Sequence, residues 1–364
     1  MSMGLVIILT ALAYLGALFV VAYWGDRRRA QEKAIRQSQT WIYPLSLAVY
    51  CTSWTFFGSV GLASRSGFDF LAIYVGPMLL FALFWPLVRR VVRIAKAQNI
   101  TSIADFIGAR YGKSQAVAAM VCLIITVGTV PYVALQLKAV SSSLMTTIRP
   151  DEIVNVTQEL PFFGDLALVV AMSMAVFAML FGTRHADATE HQDGLILAVA
   201  TESIVKLVCF LAIGLYTTYV MFNGFSDLFG KAMARPDIVN SVLRWPDFST
   251  FFAMSVLSFS CGILLPRMFH VGVVENHSEA EIRRAAWLFP LYLVLINLFV
   301  IPIAVAGLLV FPPGSMDSDM TVVALPMSRG NEILTLAAFI GGLSAATAMV
   351  IVASVALSIM ISND

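Results

Sequence analysis

Apolar stretches separated by short polar turns fill nearly the whole chain, and the pattern predicts nine spans. These are roughly 3–24, 43–63, 68–88, 115–148, 164–182, 191–222, 249–270, 286–311 and 332–361. A helix crosses a bilayer with about 20 apolar residues, and these stretches have that reach. Between them lie polar segments with helix punctuation. Thr101-Ser102 with Asp105, ending at Gly112, predicts a short capped helix, and Ser278 with Glu281 predicts the start of another. A dense polar turn, Gly182–Asp193, leads into the sixth span, and the 223–248 segment with Pro236 and Pro246 predicts a short interfacial helix.

The second span departs from a plain apolar helix. Between Tyr43 and Ser66 it carries Ser46, Thr52, Ser53, Thr55 and Ser59, with Gly58 and Gly61 among them. Glycines weaken a helix, and hydroxyls can satisfy backbone groups that a break sets free. A span interrupted near mid-membrane turns backbone oxygens toward an ion or solute; small residues in a continuous helix instead allow close packing. The seventh span, Phe251–Pro266, has the same character: Ser255, Ser258, Ser260, Gly262 and Pro266. Interruptions at corresponding points of two halves point to an inverted-repeat site. Such a site predicts spans 2–6 (about 43–222) as one repeat and 249–361 as part of a second. In the ninth span Ser344 and Thr347 share a face. Two readings stand for them: oxygen ligands of a sodium ion, or interhelical hydrogen bonds worth about 0.6 kcal/mol each.

Composition closes off other classes. With 59% hydrophobic and 12% charged residues, and a mean hydropathy of +0.85, the chain is a polytopic membrane protein and not a soluble domain. The four cysteines fall inside apolar spans without metal-type spacing and read as small buried hydrophobes. The first span lacks a basic leading region and a small-residue cleavage site, so it reads as a retained helix and not a signal peptide. Fifteen Lys and Arg residues fall in alternate loops against six in the others. The positive-inside rule then puts the N-terminus outside and the C-terminus in the cytoplasm. Charges within spans are costly and suggest function by default. Glu202 and Lys206, four residues apart, can neutralise each other on one face; Lys138 either snorkels or points into a cavity beside Gln136. An intramembrane enzyme would need convergent acids or histidines at mid-depth, and Glu202 alone is there.

Tyr50–Gly58, Thr101–Gly112, Ala186–Gln192, Pro266–His270 and Gly342–Thr347, in this order, resemble the sodium/solute symporter family. Tyr43–Gly58, Pro266–Asn276 and Met360–Asp364 are similar in particular to the membrane module of bacterial sensor histidine kinases. The resemblance implies an all-α, LeuT-type inverted-repeat core after one extra N-terminal helix at 3–24, with the second repeat truncated because that core has ten helices and eight follow the first. It implies a single symporter-like domain over 1–364 in a bacterial inner membrane, with no nucleic-acid partner, no catalytic residues and no cofactor other than sodium. Its function would be solute transport and sensing for a two-component kinase, through a cytoplasmic kinase module and a response regulator. The alternative is a stand-alone sodium:solute symporter.

A small organic solute such as an amino acid would sit between spans 2, 4, 7 and 9, with Tyr50, Thr52, Ser53, Trp54, Gln136 and Ser258 lining its site. The implied sodium site uses backbone oxygens at Ala48 and Cys51, a carbonyl at Gly341 and the Ser344 hydroxyl, with Thr347 on the same face. Three positions depart from the family. Ala345 replaces a second hydroxyl, Tyr50 stands where one amino-acid symporter branch has aspartate, and Leu265-Pro266-Arg267 replaces a Gln-Pro-His-like run. They leave proton coupling and an ion-independent site open beside sodium coupling.

Overall fold

The computed structural model describes residues 3–31, 41–148, 192–242 and 244–363, together with positions 168, 172, 175, 176 and 179. The fifth predicted span as a whole, and the polar turn carrying Arg184, His185 and His191, lie outside the described residues. Among those described, every regular element is helical. Five helices are long and apolar enough to cross a membrane, or seven when each of two bent pairs counts as one span.

The first helix, α1 (Met3–Gln31), packs along α8 (Asp193–Leu215). The second span divides. α2 (Ile42–Ser46) runs into a 3-10 turn to Tyr50, and the chain resumes as a π turn, Trp54–Gly58, and α3 (Ser59–Ser66). The two arms meet at 69°. No loop separates the second and third predicted spans. Gly67, at φ +60° and ψ −122°, takes a left-handed conformation that a side chain would strain, and a 3-10 turn delivers the chain into α4 (Ala72–Ala82). The third span was expected to reach residue 88. It stops at Leu83-Phe84, and α5 (Trp85–Ala97) starts afresh with Pro86 in its first turn, where a missing N–H is harmless.

The short helix α6 (Ile103–Arg110) is capped as its sequence predicts. Ser102 Oγ accepts from the Asp105 N–H at 2.9 Å, and Asp105 Oδ2 accepts from the Thr101 N–H at 3.2 Å. α7 (Gln115–Ile148) exposes Met120, Leu123, Ile124, Val127 and Val130 along one side, a surface suited to lipid. Beyond α8 and its terminal π turn, two short helices replace the single one expected, α9 (Phe225–Met233) and α10 (Pro236–Val242).

The seventh span bends as predicted. α11 (Phe248–Leu264) meets α12 (Pro266–Phe269) and its following π turn at 53°. Pro266 causes it: proline offers no N–H and drives the preceding residue out of the helical region, and Leu265 is extended at φ −65°, ψ 134°. The capping box of Ser278 and Glu281 opens α13 (Glu279–Asn297), followed by α14 (Val300–Val310), α15 (Thr321–Ser328) and α16 (Glu332–Asn363). The core lies where α16 runs against α8 and α7 while α4 packs on α11. At Gly341 an added Cβ would meet Phe56 Cζ at 2.5 Å and Cys209 Cβ at 2.8 Å, so α16 reaches the π turn and α8 only without a side chain there.

Candidate functional site

The two bends face one cavity of about 440 Å³. Tyr50, Thr52, Trp54 and Thr55 line it from the first bend, and Ser258, Cys261, Leu265 and Arg267 from the second; Thr129 and Tyr132 of α7 contribute from the fourth span. Most of the wall is apolar, with a few convergent polar groups, as small-molecule sites are built.

Four of the six residues expected to line a solute site do so: Tyr50, Thr52, Trp54 and Ser258. Tyr50 donates its hydroxyl to the Ile73 carbonyl at 2.6 Å, and Ser258 donates to the Ala72 carbonyl at 2.8 Å, so both are fixed by the turn into α4. Thr52 Oγ1 lies 3.0 Å from the Tyr132 hydroxyl. Ser53 and Gln136 do not line the cavity. Both are buried, and Gln136 Oε1 accepts from the Ser53 N–H at 3.0 Å and from its hydroxyl at 2.6 Å. They brace the bend from behind, since a freed backbone N–H in a dry interior needs an acceptor.

The five residues expected to hold an ion meet other partners. Lys206 of α8, fully buried, donates its Nζ to the Ala48 carbonyl at 2.7 Å and the Cys51 carbonyl at 2.6 Å. Ser344 donates to the Glu202 carbonyl at 2.8 Å, and Thr347 Oγ1 donates to Glu202 Oε1. Glu202 and Lys206 thus turn to different partners and do not close the i, i+4 pair expected of them. Gly341 serves the close approach described above. The break itself falls at Cys51–Ser53, ahead of Gly58 and Gly61. Gly58 lies under the Trp54 indole and Gly61 under Asp319, so both glycines serve packing.

Lys138 is exposed on α7 and is not part of the cavity wall, in keeping with snorkelling. The cysteines are free, with Cys51 and Cys122 buried. Below the second bend, Lys96 donates to the Asn276 carbonyl, and Glu279 pairs with Arg93 at 2.7 Å, tying the segment after α12 to α5.

Arg267 is the residue that sequence reasoning passed over as a site group. Its side chain is buried, its guanidinium carbon lies 5.1 Å from the Tyr132 ring centre, and its Nε has no hydrogen-bond partner among the described residues. The pointer was in the sequence: an arginine directly after the proline of an interrupted span.

No family model matches this chain, and no curated protein matches it by sequence. Among solved structures, the chain is similar to a Na+-coupled sialic acid symporter in a substrate-bound, outward-open state. The TM-score is 0.67 at 15% identity, and the likeness covers 100% of this chain and 74% of that one. The likeness is one of fold: this is an all-α, multi-pass membrane protein of LeuT-type architecture.

Proposed function

We propose that this chain is a secondary transporter that carries a small organic solute, an amino acid among the candidates, through the cavity between its two bent spans. One observation carries the reading: both helix breaks open onto the same cavity. Rocking the two halves about such a site gives alternating access, and solute moves the equilibrium only as far as it binds one state better than the other. Tyr50, Thr52, Trp54 and Ser258 contact the solute. Ser53 and Gln136 hold the first bend in shape.

Arg267 fixes the solute's chemistry more narrowly. A guanidinium offers five N–H donors in a planar fork that matches a carboxylate. Its buried Nε has no hydrogen-bond partner among the described residues, which is costly in a membrane interior, and a solute carboxylate on the fork would relieve that cost. The fold likeness supports the carrier reading of a stand-alone symporter. The sensor-kinase reading, with its kinase module and response regulator, rests on the resemblance of Tyr43–Gly58, Pro266–Asn276 and Met360–Asp364 alone. A bacterial plasma membrane with the N-terminus outside, and a division into repeats at 43–222 and 249–361, belong to the same proposal.

Uptake of a labelled panel of amino acids and other organic acids into cells expressing the protein tests it. At least one solute should accumulate, and Trp54→Ala should abolish that uptake while the protein still reaches the membrane. Uptake unchanged by Trp54→Ala would place the solute elsewhere.

A further inference from the structure

The implied sodium site does not fit a sodium ion in this chain. Sodium is a hard cation that needs several oxygen lone pairs turned toward it. Of the oxygens the resemblance assigns, the Ala48 and Cys51 carbonyls both accept from Lys206 Nζ, at 2.7 and 2.6 Å. The Ser344 and Thr347 hydroxyls are hydrogen-bonded to Glu202 and keep their oxygen lone pairs, so the misfit lies at the two carbonyls. A sodium ion placed on the two carbonyls would overlap an ammonium or lie against it, charge to charge, with little solvent to screen them.

We infer that the Lys206 ammonium is a tethered cation that takes the place of sodium, so that solute binding in this protein is independent of sodium. The break at Cys51–Ser53 leaves the Cys51 carbonyl without a helical donor and the Ala48 carbonyl with the Cys51 N–H alone, at 3.0 Å, and in a membrane interior the remaining acceptor capacity must be met inside the protein. A bound sodium would draw the broken span to α16 through the oxygens of both. Here a side chain of α8 makes the link to the broken span directly. Glu202, one turn earlier on α8, holds Ser344 and Thr347 of α16 through its carbonyl and carboxylate. Together the two residues make a three-way joint among the first bend, α8 and α16 at the place expected of an ion. Ala345 agrees with this: where the resemblance has a second hydroxyl for sodium, this chain has none.

This inference rests on the carrier reading for its function, yet its test needs no solute. The melting temperature of the purified full chain is measured in sodium chloride and in choline chloride at equal ionic strength. The wild type should melt at the same temperature in both. Lys206→Ala, purified in sodium, should be destabilised in choline and regain a saturable part of the loss as sodium is added, because the carbonyls are then open to an ion. A saturable, sodium-specific rise for the wild type overturns the proposal. So does a folded Lys206→Ala protein indifferent to sodium, which makes the lysine a packing clamp. Should Lys206→Ala not survive purification, Lys206→Gln, which keeps one donor, is read in the same two salts by the same criteria. Uptake assays then separate the two readings: transport equal in sodium and choline supports both, and absent transport with the predicted melting behaviour removes the carrier reading alone.

Discussion

The two helix breaks are made differently, and the difference separates what holds the site from what the site holds. No proline lies at the first. Its exposed backbone is met by side chains from elsewhere: Lys206 on the Ala48 and Cys51 carbonyls and Gln136 on the Ser53 N–H, while the Tyr132 hydroxyl meets the Thr52 hydroxyl. The second is a proline break whose backbone stays satisfied locally. The Leu265 carbonyl accepts from the Phe269 N–H at 2.9 Å, and the Leu265 N–H reaches the Cys261 carbonyl at 3.4 Å. Next to it, Arg267 Nε has no hydrogen-bond partner among the described residues. The first bend is closed by the protein itself. The second places Arg267 in the cavity wall.

The largest effect is therefore expected at Arg267. If its guanidinium receives a carboxylate, Arg267→Gln should weaken solute binding by about 2–5 kcal/mol, the usual cost of truncating one partner of a buried charge pair. The amide or ester of the same solute should bind wild type and variant alike. Equal loss for acid and ester would reduce Arg267 to a structural role and erase the contrast between the bends. Binding of a labelled acid and its ester, measured side by side, decides it.

Gln136 comes next, because it belongs to the closed bend. Gln136→Ala strands the buried Ser53 N–H and hydroxyl, at about 1–3 kcal/mol for the unmet group. The expected readout is a lower melting temperature, with solute affinity falling only as the bend loosens. Gln136→Leu fills the volume without restoring the acceptor, so it should be no better. A Gln136→Ala protein with unchanged stability and lost affinity would move Gln136 into the binding wall. That outcome would break the distinction drawn here.

Much of the fold was legible because bilayer span length and proline chemistry are local. Pro266 announced its own break, and Ser102, Ser278 and Glu281 announced helix starts through side chains acting within one turn. What was not legible depends on distance in sequence. Lys206 meets carbonyls 155 and 158 positions away, so no local pattern distinguishes it from half of a Glu202 pair. Gly58 and Gly61 suggested flexibility at the first bend, but their lack of side chains is used against Trp54 and Asp319. The hydroxyls of Ser53 and Thr52 mark a polar bend correctly without saying which face of it is wet. The merging of the second and third spans through Gly67 follows from a single residue at positive φ, which the span bounds alone do not reveal.

The smallest expected effect tests whether the second bend needs support from outside. α11 is held at its far end by an N-cap, where Asp247 Oδ2 accepts from the Thr250 N–H at 2.9 Å and from the Ser249 hydroxyl at 2.6 Å. The Ser249 hydroxyl, then the Thr250 N–H, hold this carboxyl down to about 2, below the ordinary aspartate range. A depressed carboxyl stabilises the fold above its unfolded value, and that contribution is lost as pH falls through about 2. Across neutral pH the cap is therefore constant. Asp247→Asn, which caps nearly as well, should leave melting close to wild type, whereas Asp247→Ala should lower it slightly. If Asp247→Ala also shifts solute affinity, fraying at the end of α11 reaches Ser258 and Cys261 in the cavity wall. The second bend would then depend on a distant clamp, as the first depends on Lys206.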